Sequence, residues 1–358
     1  MQPKSGFAAQ NKLTHNTLKL FFSKLTRGIP NGIFAMPKVK SEVEIIKFIP
    51  RYDERIWGGR ALKEKFDRIL PIGVRIGESR ELYDMRDGSS AVDGGEFEGM
   101  TLRDLLRHNS AEIMGCDWDA SKPFPVIVKI LDCQQILSLQ VHPDKLSAER
   151  FGGKEKNEAW YFINCALKAH YYAGIKTKTP KSEIISKLSN ADFDNIVASH
   201  DSHAGDFCFI RAGIVHALGA GNMVLEIQEN SPSTYRIFDW DRVDLKGNKR
   251  ELHLKEALES INATLSDQPA PLRENGEPSR TLLEHPSFKI TRVRLEKGET
   301  VSFCSGQKPR ILSLIRGCIS SGSTRLKALQ TVLIPYAANA TFTAQTPATF
   351  LLTEDFCK

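Results

Sequence analysis

The sequence predicts a mainly β protein, an antiparallel sandwich or barrel decorated by a few helices, and three observations carry that reading. Short runs rich in β-branched and aromatic residues recur beyond residue 44. Gly, Pro, Asn or Asp separates many of them, as expected of strands joined by turns rather than of βαβ units. Apolar residues at helical spacing occur in only a few places.

Taken in order, the expected strands are Glu44–Ile49, Pro125–Leu131, Ile136–Val141, Ala159–Cys165, Asp206–Ile210, Met223–Gln228, Thr234–Trp240, Phe288–Leu295, Ile311–Ile315 and Thr349–Thr353. The expected helices are Leu102–Arg107, Lys181–Ser199 and Leu254–Ile261; the second rests on the spacing of Ile184, Ile185, Leu188, Phe193, Ile196 and Val197. Ser266–Arg280 reads SDQPAPLRENGEPSR, where three prolines, Gly and charges replace any period, so a linker is expected at 266–280. It would divide a body at 44–265, with a helical insertion near 181–199, from a smaller β domain at 281–358. That second part has one histidine, His285, at its very start, so an imidazole-based metal site must lie in the first part.

The chain has 358 residues, 41% hydrophobic and 26% charged, which suits one large or two moderate globular domains and excludes a fibrous or wholly disordered chain. Lys and Arg total 49 against 43 acids, but seven of the cations (Lys4, Lys12, Lys19, Lys24, Arg27, Lys38, Lys40) fall in residues 1–40, which hold no acid. The remainder is 42 against 43, so the net charge of +6 belongs to the tail and gives the body no nucleic-acid footprint. Residues 1–43 read as a disordered basic extension, its first part translated from a start codon upstream of Met36, with a targeting sequence as the alternative. Seven cysteines, none in a CxxC and several inside apolar runs, point to reduced thiols and a cytoplasmic protein. No apolar stretch approaches the roughly 18 residues needed to cross a bilayer, so neither membrane nor nucleic acid is expected as a partner.

Chemistry concentrates in three segments. In ILSLQVHPD, Gln140 and His142 are two residues apart in a strand and leave it on one face, where an amide oxygen and an imidazole can meet one cation. A structural histidine is the bland alternative. In KNEAWYF, Lys156 and Glu158 enter an aromatic strand; alone, Glu158 would read as a solvated strand-end charge. In GDFCFIRAGIVHALGAG, glycines bracket a short strand and hold His216 in a constrained position. Downstream, Glu226, Gln228 and Asn230 share one strand face, and Arg236, Phe238, Trp240 and Arg242 share another if the chain stays extended. A face of Glu, Gln, Asn and Arg is a poor core but suits a hydroxyl-rich anionic ligand.

Gly205, Gly213 and His216 are similar to the second cupin motif, G-x5-P-x-G-x2-H-x3-N, with Arg211 at the proline and Ala220 at the asparagine. Taken with SLQVHPD, KNEAWYF, GIVHALGAG and LEIQENSPSTYRIFDWDR, in that order, the chain resembles type I mannose-6-phosphate isomerases of the short bacterial form over roughly residues 45–358. The resemblance implies two cupin-type (jelly-roll) domains, the second without metal. It also implies one Zn2+, or another divalent ion, held by Gln140, His142, Glu158 and His216. Arg236 matches the family's active-site arginine, and Arg242 and Lys156 match positions associated with substrate handling. Arg242 is as readily an ion-pair partner of Asp239 or Asp241. The family's early IGESWE reads IGESRE here, with Arg80 in place of an indole.

The expected activity is therefore interconversion of mannose 6-phosphate and fructose 6-phosphate through a cis-enediol, by a monomer or weak oligomer acting on a phosphorylated hexose. Glu226 is the first choice for proton transfer and Lys156 the second. Gln228 and Asn230 would line the sugar site. Another cupin metalloenzyme, an oxygenase or an isomerase of another sugar, and a non-catalytic sugar-binding regulator are the competing readings.

Overall fold

The computed structural model describes residues 43–176, 179–190, 192–193, 195–244, 246–262 and 271–357. The expected basic tail lies outside them, apart from Val43. Every strand pair in the sheets is antiparallel, and two pairs of facing sheets account for the architecture.

The first pair builds the body. One sheet has six strands in the order Phe207–Ile210, Glu158–Cys165, Asn222–Glu229, Val126–Cys133, Ile76–Leu82 and Arg51–Gly59. Opposite it is a five-stranded sheet ordered Val197–Asp201, His170–Ile175, His216–Leu218, Leu139–Val141 and Tyr235–Phe238. Alternation along the strands gives each sheet two different faces. Trp160, Phe162, Leu131 and Val224 from the six-stranded sheet meet Tyr171, Ala173 and Leu218 from the five-stranded one between the layers. On the outer face of the five-stranded sheet, Leu139, Val141, Ala217 and Ile237 are covered by Ile184 and Leu188 of the helix Lys181–Ser189 and Ala257 of the helix Leu254–Ser260. The outer face of the six-stranded sheet, with Val126, Val128, Ile130, Leu225 and Ile227, packs on Phe288, Ile290, Ile311, Leu333 and Leu351 from the C-terminal part.

That C-terminal part is a second sandwich. A six-stranded sheet ordered Ile46–Lys47, Thr331–Ile334, Arg310–Arg316, Ala348–Glu354, Phe288–Leu295 and Ser279–His285 faces a four-stranded sheet of Thr300–Phe303, Ala340–Ala344, Cys318–Ser321 and Thr324–Lys327. Its own core runs from Leu312 and Val332 to Phe342 and Phe350.

The structure departs from expectation at four places. The strand at Ile46–Lys47 pairs with Thr331–Ile334, so residues assigned to the body close the second sandwich. The helix expected at 181–199 stops at Ser189, and Val197–Asp201 is a strand paired with His170–Ile175. The apolar spacing that suggested one long helix comes from Ile196 and Val197 burying against the same cluster as Ile184. Residues 263–270 of the expected linker lie outside the described residues, while 271–280 are tied down. Leu272 exchanges backbone hydrogen bonds with Phe207 at 2.9 and 3.0 Å, and Glu274 pairs with Arg292 at 2.5 Å and Arg294 at 2.7 Å. Finally, Arg236 to Arg242 is not extended throughout: the strand ends at Phe238, and Trp240 (φ 59°) and Asp241 (φ 52°) take left-handed backbone that turns the chain.

Candidate metal centre and active site

His142, Glu158 and His216 meet between the two sheets of the body, their ligand atoms all within 4.8 Å of one another and all three side chains buried. The register brings them there. His216 is the Cα partner of Gln140, and Gln140 is in turn the partner of Arg236, so all three leave the five-stranded sheet on its inner face. Glu158 arrives from the opposite sheet, level with Gln228.

Local sequence explains the delivery. After His142, Asp144 caps the helix Lys145–Phe151 by accepting the Ser147 N–H at 2.9 Å, and Gly152 (φ 69°) ends it. This helix of about two turns returns the chain to Glu158. His216 is set by Gly213, whose φ of 87° suits glycine and whose N–H donates to His142 O at 2.8 Å. A Cβ there would lie 2.9 Å from Asn262 Cβ. Arg211, where a proline is usual, is an exposed residue of the same turn and leaves it intact.

Each imidazole uses Nδ1 on a backbone carbonyl: His142 on Ser233 O at 3.0 Å and His216 on Ile214 O at 2.8 Å. Both Nε2 atoms are therefore left as acceptors facing one carboxylate, at 2.9 Å (His142 to Oε2) and 3.3 Å (His216 to Oε1). Burial, reinforced by Lys156, pushes the His142 imidazole down to about 3, and burial lowers His216 as well, so both rings are neutral at pH 7. Burial opposes ionisation of Glu158, but the Lys156 ammonium, foremost among its charged neighbours, outweighs it and holds the carboxyl well below its ordinary value. Two nitrogen lone pairs against a buried carboxylate repel one another unless a cation lies between them. Glu158 Oε1 has no hydrogen-bond partner, and the Gln140 amide reaches His216 Nε2 at 3.2 Å as a fourth polar group. The spacings approach the roughly 3.3 Å edge of a tetrahedron whose N and O ligands are about 2.0–2.1 Å from its centre. The residues present fit a divalent ion.

The inner face of the six-stranded sheet continues the site. Lys129, half-buried, donates to Glu226 Oε1 at 2.9 Å and to Gln228 Oε1 at 2.6 Å. Burial raises the Glu226 carboxyl, with Lys129 opposing it. Glu78 lies on the neighbouring strand; burial works against its charge, but Lys129 and Arg55 hold it at about 2. Lys156 pairs with Glu158 Oε2 at 3.1 Å. Arg236, beside Gln140, gives Nη1 to Glu251 O at 2.6 Å while its buried Nε has no partner.

Two expected sugar-lining residues are differently employed. Asn230 lies past the strand end and spends its amide on Asp84 O (2.6 Å) and Phe124 O (2.7 Å). Arg242 lines a cavity of about 630 Å³ with Arg55, Arg75 and Gln135, but its guanidinium is held by Asp239 Oδ1 at 2.5 Å, Asp239 O at 3.2 Å and Ile136 O. Arg80 bonds Asp53 at 2.7 Å and Asp87 at 3.0 Å, filling the place of an indole with an ion-pair network. Lys129 and Glu78 were missed. A lysine inside the otherwise apolar VIVKIL was the available signal for the first.

Comparison with known proteins agrees with this geometry. Residues 45–165 match the family described as phosphomannose isomerase type I, catalytic domain. Mannose-6-phosphate isomerase ManA of Bacillus subtilis is 35% identical over 280 residues, covering 76% of this chain and 86% of ManA. The crystal structure of mannose 6-phosphate isomerase from Bacillus subtilis superposes with a TM-score of 0.77 at 26% identity, covering 87% of this chain and all of that one. A mannose 6-phosphate isomerase solved with zinc and yttrium, 14% identical with a TM-score of 0.67 over 87% of this chain and all of its own, shares the fold. With a glutamate and two neutral histidines facing one point inside the first of two β-sandwiches, and with a relative of this similarity over this length, the chain belongs to the type I phosphomannose isomerase family.

Proposed function

We propose that the protein interconverts mannose 6-phosphate and fructose 6-phosphate, the activity named for its relatives, at the centre formed by Gln140, His142, Glu158 and His216. The observation that carries the reading is the pair of unprotonated Nε2 atoms facing the buried Glu158 carboxylate. Those four side chains would hold one divalent ion. Zinc is favoured because it takes such N/O donor sets and because a related isomerase was solved with it. When bound, the ion would supply a Lewis acid for negative charge on sugar oxygens.

The isomerisation moves a proton between C2 and C1 through a cis-enediol, which requires a base and donors for the developing oxyanion. Glu226 is the base: Lys129 holds Oε1, leaving Oε2 without a protein donor among the described residues, and burial raises its basicity. Gln228, on the same lysine, helps fix that carboxylate's position. Arg236 offers its unpartnered Nε to charge on the sugar, and Lys156 keeps the Glu158 carboxylate in place. Asp239 and Ile136 take three of the five N–H donors of Arg242, and the two that remain make it the candidate for the sugar phosphate from the cavity wall. The second sandwich, without a histidine pair, completes the architecture. The absence of disulfides among the described cysteines suits a reducing compartment, and the cytoplasm is the location in keeping with it.

A coupled assay of fructose 6-phosphate formation from mannose 6-phosphate tests the proposal, with glucose 6-phosphate and free mannose as comparisons. Turnover of mannose 6-phosphate that disappears on chelation and returns with zinc supports it; full turnover by metal-free protein overturns it.

A further inference from the structure

A second large cavity, of about 650 Å³, lies at the other end of the strand Leu139–Val141 from the cavity that holds Arg242. The Arg242 cavity includes Gln135, at the start of the segment leading into that strand. The second cavity includes Gly153, Lys154 and Ser233, next to His142 beyond its end.

Its charge is one-sided. Arg86, Arg103, Arg107, Lys122 and Lys154 line it. Only two carboxylates do, Asp84 and Asp87, an excess of three positive charges. Both acids are already engaged: Asp84 is buried and takes Arg103 at 2.7 Å and the Phe124 N–H at 3.0 Å, and Asp87 takes Arg80 at 3.0 Å and Arg51 at 3.4 Å. Arg107 has only a 3.7 Å pair with Asp104, and Arg86, Lys122 and Lys154 make no ion pair within 4 Å among the described residues. Met85, Pro123 and Pro232 add an apolar wall. Like charges converging on a concavity repel one another and are relieved by a counter-anion.

The wall is also coupled to the metal centre. Ser233 Oγ accepts the Lys154 N–H at 2.9 Å, and Ser233 O accepts His142 Nδ1–H at 3.0 Å, so the loop that would touch an anion also orients a metal ligand.

We propose that this cavity binds a pyrophosphate-bearing small molecule, at a place separate from the sugar phosphate. A pyrophosphate group matches the excess of three charges where a single phosphate would leave part of it uncompensated, and the volume leaves room for an attached group.

The test is calorimetric titration of the metal-loaded protein with inorganic pyrophosphate, with metal content measured before and after. The partner sample is the triple variant Arg86→Ala, Lys122→Ala, Lys154→Ala, whose exposed positions keep kcat and melting temperature near those of the parent. Binding at one site per chain is expected, weakened on the order of tenfold or more in the variant. It should weaken with added salt and persist under saturating mannose 6-phosphate. Absence of saturable heat, equal affinity in the variant, displacement by mannose 6-phosphate, or heat that follows loss of metal would each overturn the proposal. The titration reads binding alone, so its failure leaves the isomerase reading standing, and failure of the isomerase assay leaves this one.

Discussion

Replacing Arg236 by alanine separates rate from stability. In the folded protein the guanidinium makes one hydrogen bond, Nη1 to Glu251 O, while Nε is buried without a partner and neighbouring Arg250 disfavours its charge. Losing that bond at a partly exposed site costs about 1 kcal/mol, and relief of the Arg250 repulsion offsets part of it. The folding cost is therefore small. A donor aimed at charge that appears only in the transition state is worth roughly 3–4 kcal/mol, or about 10²–10³ in kcat. Arg236→Ala should thus lose two to three orders of magnitude in kcat, with a smaller change in KM and a melting temperature within a few degrees of the parent. Arg236→Lys should recover only part of the rate, because an ammonium lacks the planar fork. Steady-state kinetics on both variants, with metal content checked by elemental analysis, make the measurement. An unchanged kcat in metal-replete Arg236→Ala would remove this arginine from the chemistry and refute the reasoning from its unpartnered Nε.

Other outcomes follow from the same geometry. His216→Ala should lose both bound metal and activity, because it removes a buried imidazole whose Nδ1 is already locked on Ile214 O; retention of one ion per chain, seen by elemental analysis, would contradict the ligand set. Gly213→Ala should destabilise the protein by about 1–3 kcal/mol in denaturant unfolding, since it places a Cβ 2.9 Å from Asn262 Cβ at a φ of 87°; a neutral result would mean that the turn relaxes. Glu78, held at about 2 against an ordinary 4.5, contributes stability that is fully present above its unfolded value and is lost as pH falls from about 5 towards 2. The stability difference between the parent and Glu78→Gln should therefore be about 3 kcal/mol near neutrality and shrink across that window; a difference independent of pH between 3 and 6 would show that the carboxylate is not held by Lys129 and Arg55.

Part of the candidate metal centre was legible from strand geometry, and Glu158 joined it only through the family resemblance. Gln140 and His142 share a face at a spacing of two, and the glycine at 213 announced a tight turn before His216. The strand Phe288–Leu295 has the same bounds in the sequence reading and the structure. The helix expected at Leu102–Arg107 runs on to Ile113, and several strands differ by a few residues at their ends, where pairing and fraying decide the boundary. Lys129 carried a local signal, a charge inside the apolar VIVKIL, but its partners were not legible, and Glu78 carried no signal at all. Each lies in a strand whose neighbours bury an outer face, and nothing local tells which residue of another strand a charge will meet. Sheet register places Glu226 beside Lys129 and Lys129 level with Arg80. Strict alternation from Ile136 to Val141 would put Leu137 on the face of Leu139 and Val141, but it packs on the inner cluster because the strand begins only at Leu139.

The sequence by itself determined the mainly β class, the placing of Gln140 and His142 on one strand face and the absence of a histidine pair from the second sandwich, because alternation, turn residues and composition are local properties. Tertiary structure alone decided that Ile46–Lys47 closes the distant sheet, that Glu274 binds residues 271–280 to Arg292 and Arg294, and that Asn230 is spent on backbone carbonyls. It also decided that two neutral imidazoles face a carboxylate. Those outcomes depend on which groups lose water together, and residues far apart in the chain lose it together only once the sheets have packed.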